Sequence, residues 1–295
     1  MMRKFTFVDI ILYIIIFIVN ITMIYPVLLT IFKSFSSAEA VLSGAVKWYP
    51  VGFNTEAYAL VFKERLLVRS YANTVLYSAI YAIMFLTLTT IAGYALSIKE
   101  FRYRNFVTIL FVIPMYFGGG MIPSYLLIRN LGLLNTIWAI TLPGALGGYN
   151  IFVFRAFYQN IPSSMRESAV IDGAGDGRIL YKIIVPLSKP LYATFALFSI
   201  VGMWNSFFGP LIYFTSPDKM PIQVLLRRLL IQEDMSMLRS EAARQMAQAT
   251  YLQKRVTPES MKCAAIIVTI VPILLLYPFI QKYFVKGVMI GAIKG

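Results

Sequence analysis

Six stretches of mostly apolar residues, about 8 to 32, 71 to 98, 106 to 128, 136 to 158, 190 to 214 and 262 to 284, dominate the chain of 295 residues. A helix needs roughly 20 such residues to cross the hydrocarbon core of a bilayer. Lipid offers no partner to a backbone N–H or C=O, so stretches of this length read as helices, which satisfy those groups internally. The expectation is an all-α integral membrane protein with six transmembrane helices. Composition agrees, at 59% hydrophobic and 14% charged, where a soluble domain carries about a quarter charged residues. Arg3 and Lys4 precede the first stretch, and Ala38-Glu39-Ala40 imitates a leader cleavage site. The apolar run is too long for a leader and reads as an uncleaved anchor.

Lys and Arg in short connections mark the cytoplasmic side. Arg3 and Lys4 at the start, Lys99, Arg102 and Arg104 after the second stretch, and Lys282, Lys286 and Lys294 at the end place both termini inside. The connection after the fourth stretch, with Arg166, Arg178, Lys182 and Lys189, is then cytoplasmic too. Residues 215 to 261 hold seven Lys/Arg yet fall outside, as longer polar loops obey the rule less well. The expected organisation is a first helix with an outer loop (1–69), a helical core (70–284) and a cytoplasmic tail (285–295). The net charge of +14 flanks apolar spans instead of forming a cationic face, which argues against nucleic acid as a partner and for membrane lipid.

The chain has no histidine and one cysteine, Cys263. That excludes the usual zinc sites, a histidine-based triad and an intrachain disulfide, so no metal site and no catalytic residues are expected. A phosphate-binding loop needs Gly-Lys followed by Ser or Thr, and no Gly-Lys pair occurs. The chain cannot hydrolyse ATP by itself. An ion-coupled carrier normally places a carboxylate or other charged group within the membrane, but residues 71–98, 106–128, 136–154, 190–217 and 263–281 contain no Asp, Glu, Lys or Arg, leaving Asp9 near the inner end of the first stretch. The alternatives are therefore a transport subunit powered by another protein, a secondary carrier or channel, and a membrane-embedded enzyme. The charge-free spans weigh against the second, and the missing histidines and paired carboxylates against the third.

One polar segment, "ESAVIDGAGDGRILYKIIVPLSKP" at 167–190, interrupts this apolar chain. Ser164-Met165-Arg166-Glu167 has capping-box spacing and predicts a helix start. Gly173, Gly175 and Gly177 predict a sharp turn. Ile179, Leu180, Ile183 and Ile184 then share one side of a second helix, which Pro186 is expected to end. A helix pair of this kind suits either an amphipathic connector resting on lipid or an element docking into a partner's groove.

Glu167-Ser168-Ala169, Gly173 six residues after Glu167, then Ile183, Val185 and Pro186 resemble the EAA motif of ABC importer permeases, Glu-Ala-Ala-x3-Gly-x9-Ile-x-Leu-Pro. Asp172-Gly173-Ala174 and Pro190 are similar to its sugar-transporting branch. Ser168 for alanine and Val185 for leucine are small departures. Glu241-Ala242-Ala243 matches the letters, but it has Ala247 where the glycine belongs and lies in an outside loop. "WNSFFGPLIYF" at 204–214 and the tail "FVKGVMIGAIKG" at 284–295 resemble MalG-like permeases, in character the LplC/YtcP subgroup, near an alginate-oligosaccharide importer subunit.

The resemblance implies an ABC transporter type-1 transmembrane domain, paired with a second homologous permease, two ABC ATPase subunits carrying ATP and Mg, and an extracytoplasmic solute-binding protein that delivers an oligosaccharide. It implies no cofactor on this chain. Glu167, Ser168, Ala169, Asp172, Gly173, Ala174, Ile183 and Pro186 would form the coupling element, and Lys294 and Gly295 would end a tail inserted between the ATPases. Tyr125, Tyr149, Asn150, Trp204 and Asn205 supply stacking faces and amide groups to a substrate path, with helix packing as their rival role. The basic outer loop suits an acidic saccharide, although Asp218, Glu233, Asp234, Glu241 and Glu259 offset it. Gly144 and Gly148 suit close helix packing.

Overall fold

The computed structural model describes residues 7–228 and 255–292, and all regular structure among them is helical. Two compact units are formed, one from residues 1–68 and 225–271 and the other from 69–224 and 272–295.

The first unit begins with α1 (Phe7–Ser34), a 28-residue helix with no buried residue before Ser34. Such exposure of isoleucine and phenylalanine on every side suits a lipid surroundings. The residues after it, expected to be a plain outer loop, fold instead. Ser37 caps α2 (Ala38–Leu42) through the Ala40 N–H at 3.4 Å. Ala40, Val41 and Val46 bury themselves under Phe32 and Val51. Phe35 stacks on Phe53 and on Tyr58 of α3 (Glu56–Lys63). The last helix (Pro258–Ala292) starts on a reciprocal cap, with Ser260 N–H donating to Thr257 Oγ1 and Thr257 N–H to Ser260 Oγ. Lys33 pairs with Glu259, and Asn54 donates to the Arg255 carbonyl at 2.7 Å.

The second unit is built on α4 (Arg65–Ser97), 33 residues long. The third apolar stretch is not one straight helix: α5 (Arg104–Tyr116) and α6 (Met121–Asn130) meet at 120°. Gly118-Gly119-Gly120 lies between them, and Gly120 has φ +84°, a conformation cheap only for glycine. The fourth stretch is likewise broken, into α7 (Trp138–Thr141) and α8 (Gly148–Gln159), around Pro143 and Gly144. Hydropathy counts side chains, while these breaks are backbone events: proline lacks an N–H and glycine gives no helical preference. Among the described residues, three helices are long and apolar enough to cross a membrane, or five if each of two bent pairs is one span. The last helix continues to Ala292, past the expected end of the sixth stretch.

The core of this unit sits just above the polar segment. Phe85 and Tyr94 of α4, Phe154 and Tyr158 of α8, and Leu191 and Phe195 of α12 (Lys189–Trp204) pack together. Thr90 donates to the Tyr192 hydroxyl at 2.9 Å, and the Tyr158 and Tyr192 hydroxyls lie 2.7 Å apart. Glycines let the backbones approach: a Cβ on Gly93 would stand 2.8 Å from that of Phe154, and one on Gly148 only 2.5 Å from the Phe111 carbonyl oxygen.

Candidate functional site

The polar segment folds as a bent helix pair, α9 (Ser163–Ile171) and α10 (Asp176–Ile179), the latter continuing through a π turn at Leu180–Ile184 into α11 (Val185–Leu187). The predicted capping box does not form. Pro162, with φ −55°, is the N-cap, and α9 starts two residues early, so Ser164 is already inside the helix. Its carbonyl accepts from the Ser168 hydroxyl at 2.8 Å. The hydroxyl that serine brings in place of alanine at 168 is thereby satisfied within α9.

The turn is where the glycines placed it. Gly173 has φ +77°. Its N–H donates to the Val170 carbonyl and the Ala174 N–H to the Ala169 carbonyl, the paired bonds of a Schellman motif, with Asp172 as C-cap. Ala169 and Ala174, the apolar pair that closes such a motif, pack against the core. Ile179, Leu180 and Ile184 share one side of this second helix, as their spacing predicts, but that side is buried in the chain's own core instead of facing lipid or a partner, and Ile183 packs at its edge.

Pro186 does not end the second helix. A proline ring clashes with the carbonyl four residues back and removes a donor; here the π turn just before it absorbs the misfit, with the Val185 N–H reaching the Leu180 carbonyl five residues earlier. The chain then bends by 83° at Ser188 into α12.

No residue of α9 is buried. Met165, Val170 and Ile171 are exposed apolar side chains, Ile171 at 84%, and Glu167, Ser168 and Asp172 share the exposed surface. Arg166 points the other way. Its guanidinium lies 3.3 Å from Glu100, beyond the end of α4, and 3.5 Å from Asp176 at the start of α10. Tyr94 donates to the same Asp176 carboxylate at 3.2 Å. Burial works to lower the Arg166 pKa, but the Tyr94 hydroxyl and the Asp176 and Glu100 carboxylates outweigh it and raise it. Glu100, Arg166 and Asp176 carry no motif spacing, and sequence reading missed their association.

The five residues read as a substrate path are not brought together. Asn150 lines a cavity of about 290 Å³ with Tyr81, Phe195, Phe198, Ser199 and Ser206. Tyr81 donates to the Gly144 carbonyl at 2.9 Å. Trp204 is buried and meets Tyr71 edge-on at 5.5 Å, a packing role. Asn205 is exposed and accepts from Gln223 at 3.5 Å, Tyr125 stacks on Tyr213 at 6.3 Å, and Tyr149 is 66% exposed. None of these four lines the cavity. Lys294, Gly295 and most of the basic outer loop, including Glu241, lie outside the described residues. No group of His, Cys, Asp and Glu among the described residues could hold a metal ion.

Residues 100–290, which contain the bent pair, match the binding-protein-dependent transport system inner membrane component family. The chain belongs to that family. It is 36% identical over 273 residues to protein LplC of Bacillus subtilis, covering 92% of this chain and 90% of that one. It is 37% identical over 278 residues to the polygalacturonan/rhamnogalacturonan transport system permease protein YtcP of the same organism, covering 92% and 93%. In structure it is similar to a chain of a bacterial ABC transporter involved in import of the acidic polysaccharide alginate, with TM-score 0.87, 30% identity and coverage of 96% and 99%. The protein is thus a permease subunit of a binding-protein-dependent importer and an inner-membrane component, with the all-helical ABC type-1 permease fold.

Proposed function

We propose that this permease moves an oligosaccharide as one of two homologous transmembrane subunits, driven by two ABC ATPases that grip α9. The observation that carries the reading is the exposed face of α9, where Glu167 stands beside Val170 and Ile171 at the end of a glycine-hinged bend rooted in a packed core. A short helix with an apolar exposed side suits a groove on a partner, and a rigid root lets it pass on a tilt. Closure of the ATPases around ATP would swing α9 and switch the side to which the path opens. In this reading Glu167, Ser168, Ala169, Asp172, Gly173 and Ala174 form the gripped element, Ile183 and Pro186 its return into the membrane, and Lys294 and Gly295 the end of a tail between the ATPases. Both termini lie inside, and the two bent pairs and the broken α7–α8 stretch each count as one crossing of six.

The names of the relatives support a saccharide as cargo. Asn150, with an aromatic and hydroxyl-lined cavity beside it, is the residue of the proposed substrate path that the geometry favours. A Cβ on Gly202, at the same cavity, meets no atom within 4 Å, so Gly202→Leu fills the space without backbone conflict. The expected result is uptake lowered about fivefold, roughly 1 kcal/mol, with unchanged expression.

Vesicles holding both permeases and the ATPases, given the cognate binding protein, test the function. The probes are tritiated maltotetraose, arabinotetraose and tetragalacturonate. At least one accumulates, and only with ATP inside and the binding protein outside. Accumulation that follows an ion gradient without ATP contradicts the proposal and favours a secondary carrier.

A further inference from the structure

α9 is held in place by little besides polar contacts. It buries no residue, and its apolar hold on the core is Ala169, with Ala174 just past its end. Space opens on two sides: a cavity of about 370 Å³ is lined by Ile98, Glu100, Arg166 and Asp176, and one of about 780 Å³ by Lys99, Gln159, Arg166 and Glu167. Across the wall between these spaces runs one cluster of polar side chains. Arg166 of α9 meets Glu100 after α4 and Asp176 of α10, and Tyr94 of α4 donates to Asp176.

From this arrangement we infer that Arg166 is a positioning residue, clasping α9 to the inner end of α4 so that the two move as one body. This rests on the coupling role proposed for α9, and adds α4 to the helices that carry its motion. Covalent connection alone delivers a tilt of α9 to α8 and to α10–α12, its neighbours in the chain. The clasp delivers it to α4, the longest helix of the unit and a wall of the Asn150 cavity through Tyr81 and Phe85. Packing holds α9 to the core through Ala169 alone; the Arg166 ion pairs, although Glu100 and Asp176 are 70% and 61% exposed, add a directed contact to the end of α4. Arg166 adjoins Glu167 in sequence, so the outward residue meets the partner while the inward one carries the load. A fork of five fixed donors suits a residue that must hold two carboxylates at once.

The test reads the clasp and its consequence separately. Spin labels are placed at Lys99→Cys and Ser164→Cys in a Cys263→Ala background of the purified complex. The expected distance distribution is narrow, broadens in Arg166→Gln and in Asp176→Asn, and narrows part of the way back in Arg166→Lys, whose ammonium keeps the charge but not the fork. A distribution that Arg166→Gln leaves unchanged overturns the clasp. In transport vesicles, Arg166→Gln lowers saccharide accumulated per ATP hydrolysed about fivefold, with ATP hydrolysis within twofold of wild type, and Arg166→Lys restores at least half. An unchanged ratio overturns the link to α4, as does loss of ATP hydrolysis in step with uptake. Failure of wild-type vesicles to use ATP at all speaks instead against the importer reading, and the distance measurement still decides the clasp.

Discussion

Gly173 concentrates the local argument. Its φ of +77° is strained for any side chain, yet a Cβ there meets no atom within 4 Å. A substitution is therefore penalised by backbone conformation alone. Gly173→Val, β-branched, is expected to cost about 1–2 kcal/mol at the turn, redrawing the bend while the buried core below keeps the protein inserted. Uptake should fall about tenfold at normal membrane abundance, and Gly173→Asn, which tolerates the left-handed region, should keep most of it. Glu167→Lys should give a similar loss by reversing the charge on an exposed face, without change in thermal stability. The residue scale also shows what local spacing misses. Ser164 and Glu167 have capping-box spacing, but Pro162 pre-sets the helix two residues earlier and puts the serine inside. The Arg166 cluster was invisible because its ion-pair partner Glu100 is 66 residues away and no periodicity links them.

At the level of elements, side-chain pattern proved readable and backbone chemistry less so. The alternate glycines located the turn, and the helical spacing put Ile179, Leu180 and Ile184 on one side, but that the chain's own core covers this side was not readable from spacing. The breaks at 117–120 and 142–147 escaped a reading based on apolar length, because Phe117-Gly118-Gly119-Gly120 and Leu142-Pro143-Gly144 are as apolar as a helix yet cannot sustain one. Pro186 misled for the opposite reason: it does stop an α-helical hydrogen bond, but a π turn lets the helix continue. Removing that constraint with Pro186→Ala should let the turn relax toward regular helix, changing the direction of α12 and lowering uptake more than stability. Helix packing gives a further prediction. Gly148→Val would drive atoms into the Phe111 carbonyl and Met115, an overpacking that costs about 1–3 kcal/mol. The detergent-solubilised protein should melt several degrees lower in a fluorescence-detected gel-filtration assay, while Gly202→Leu should melt unchanged.

For the whole molecule, the family membership and the similarity over nearly the full length establish what kind of subunit this is, and the geometry of α9 says where work would enter it. The spans without Asp, Glu, Lys or Arg, Asp9 at the inner end of the first stretch excepted, and the missing phosphate loop fit a subunit whose energy comes from another protein. All parts of the account need α9 on the ATPase side of the membrane and in a partner's grip. The direct measurement is photocrosslinking from Ile171→Cys, the most exposed apolar residue of α9, in a Cys263→Ala background. A benzophenone maleimide at that position is predicted to capture an ATPase subunit, with a yield that changes when ATP is trapped, and to be unreachable by an impermeant thiol reagent added outside intact cells. Capture of lipid alone, or labelling from outside, would contradict the account.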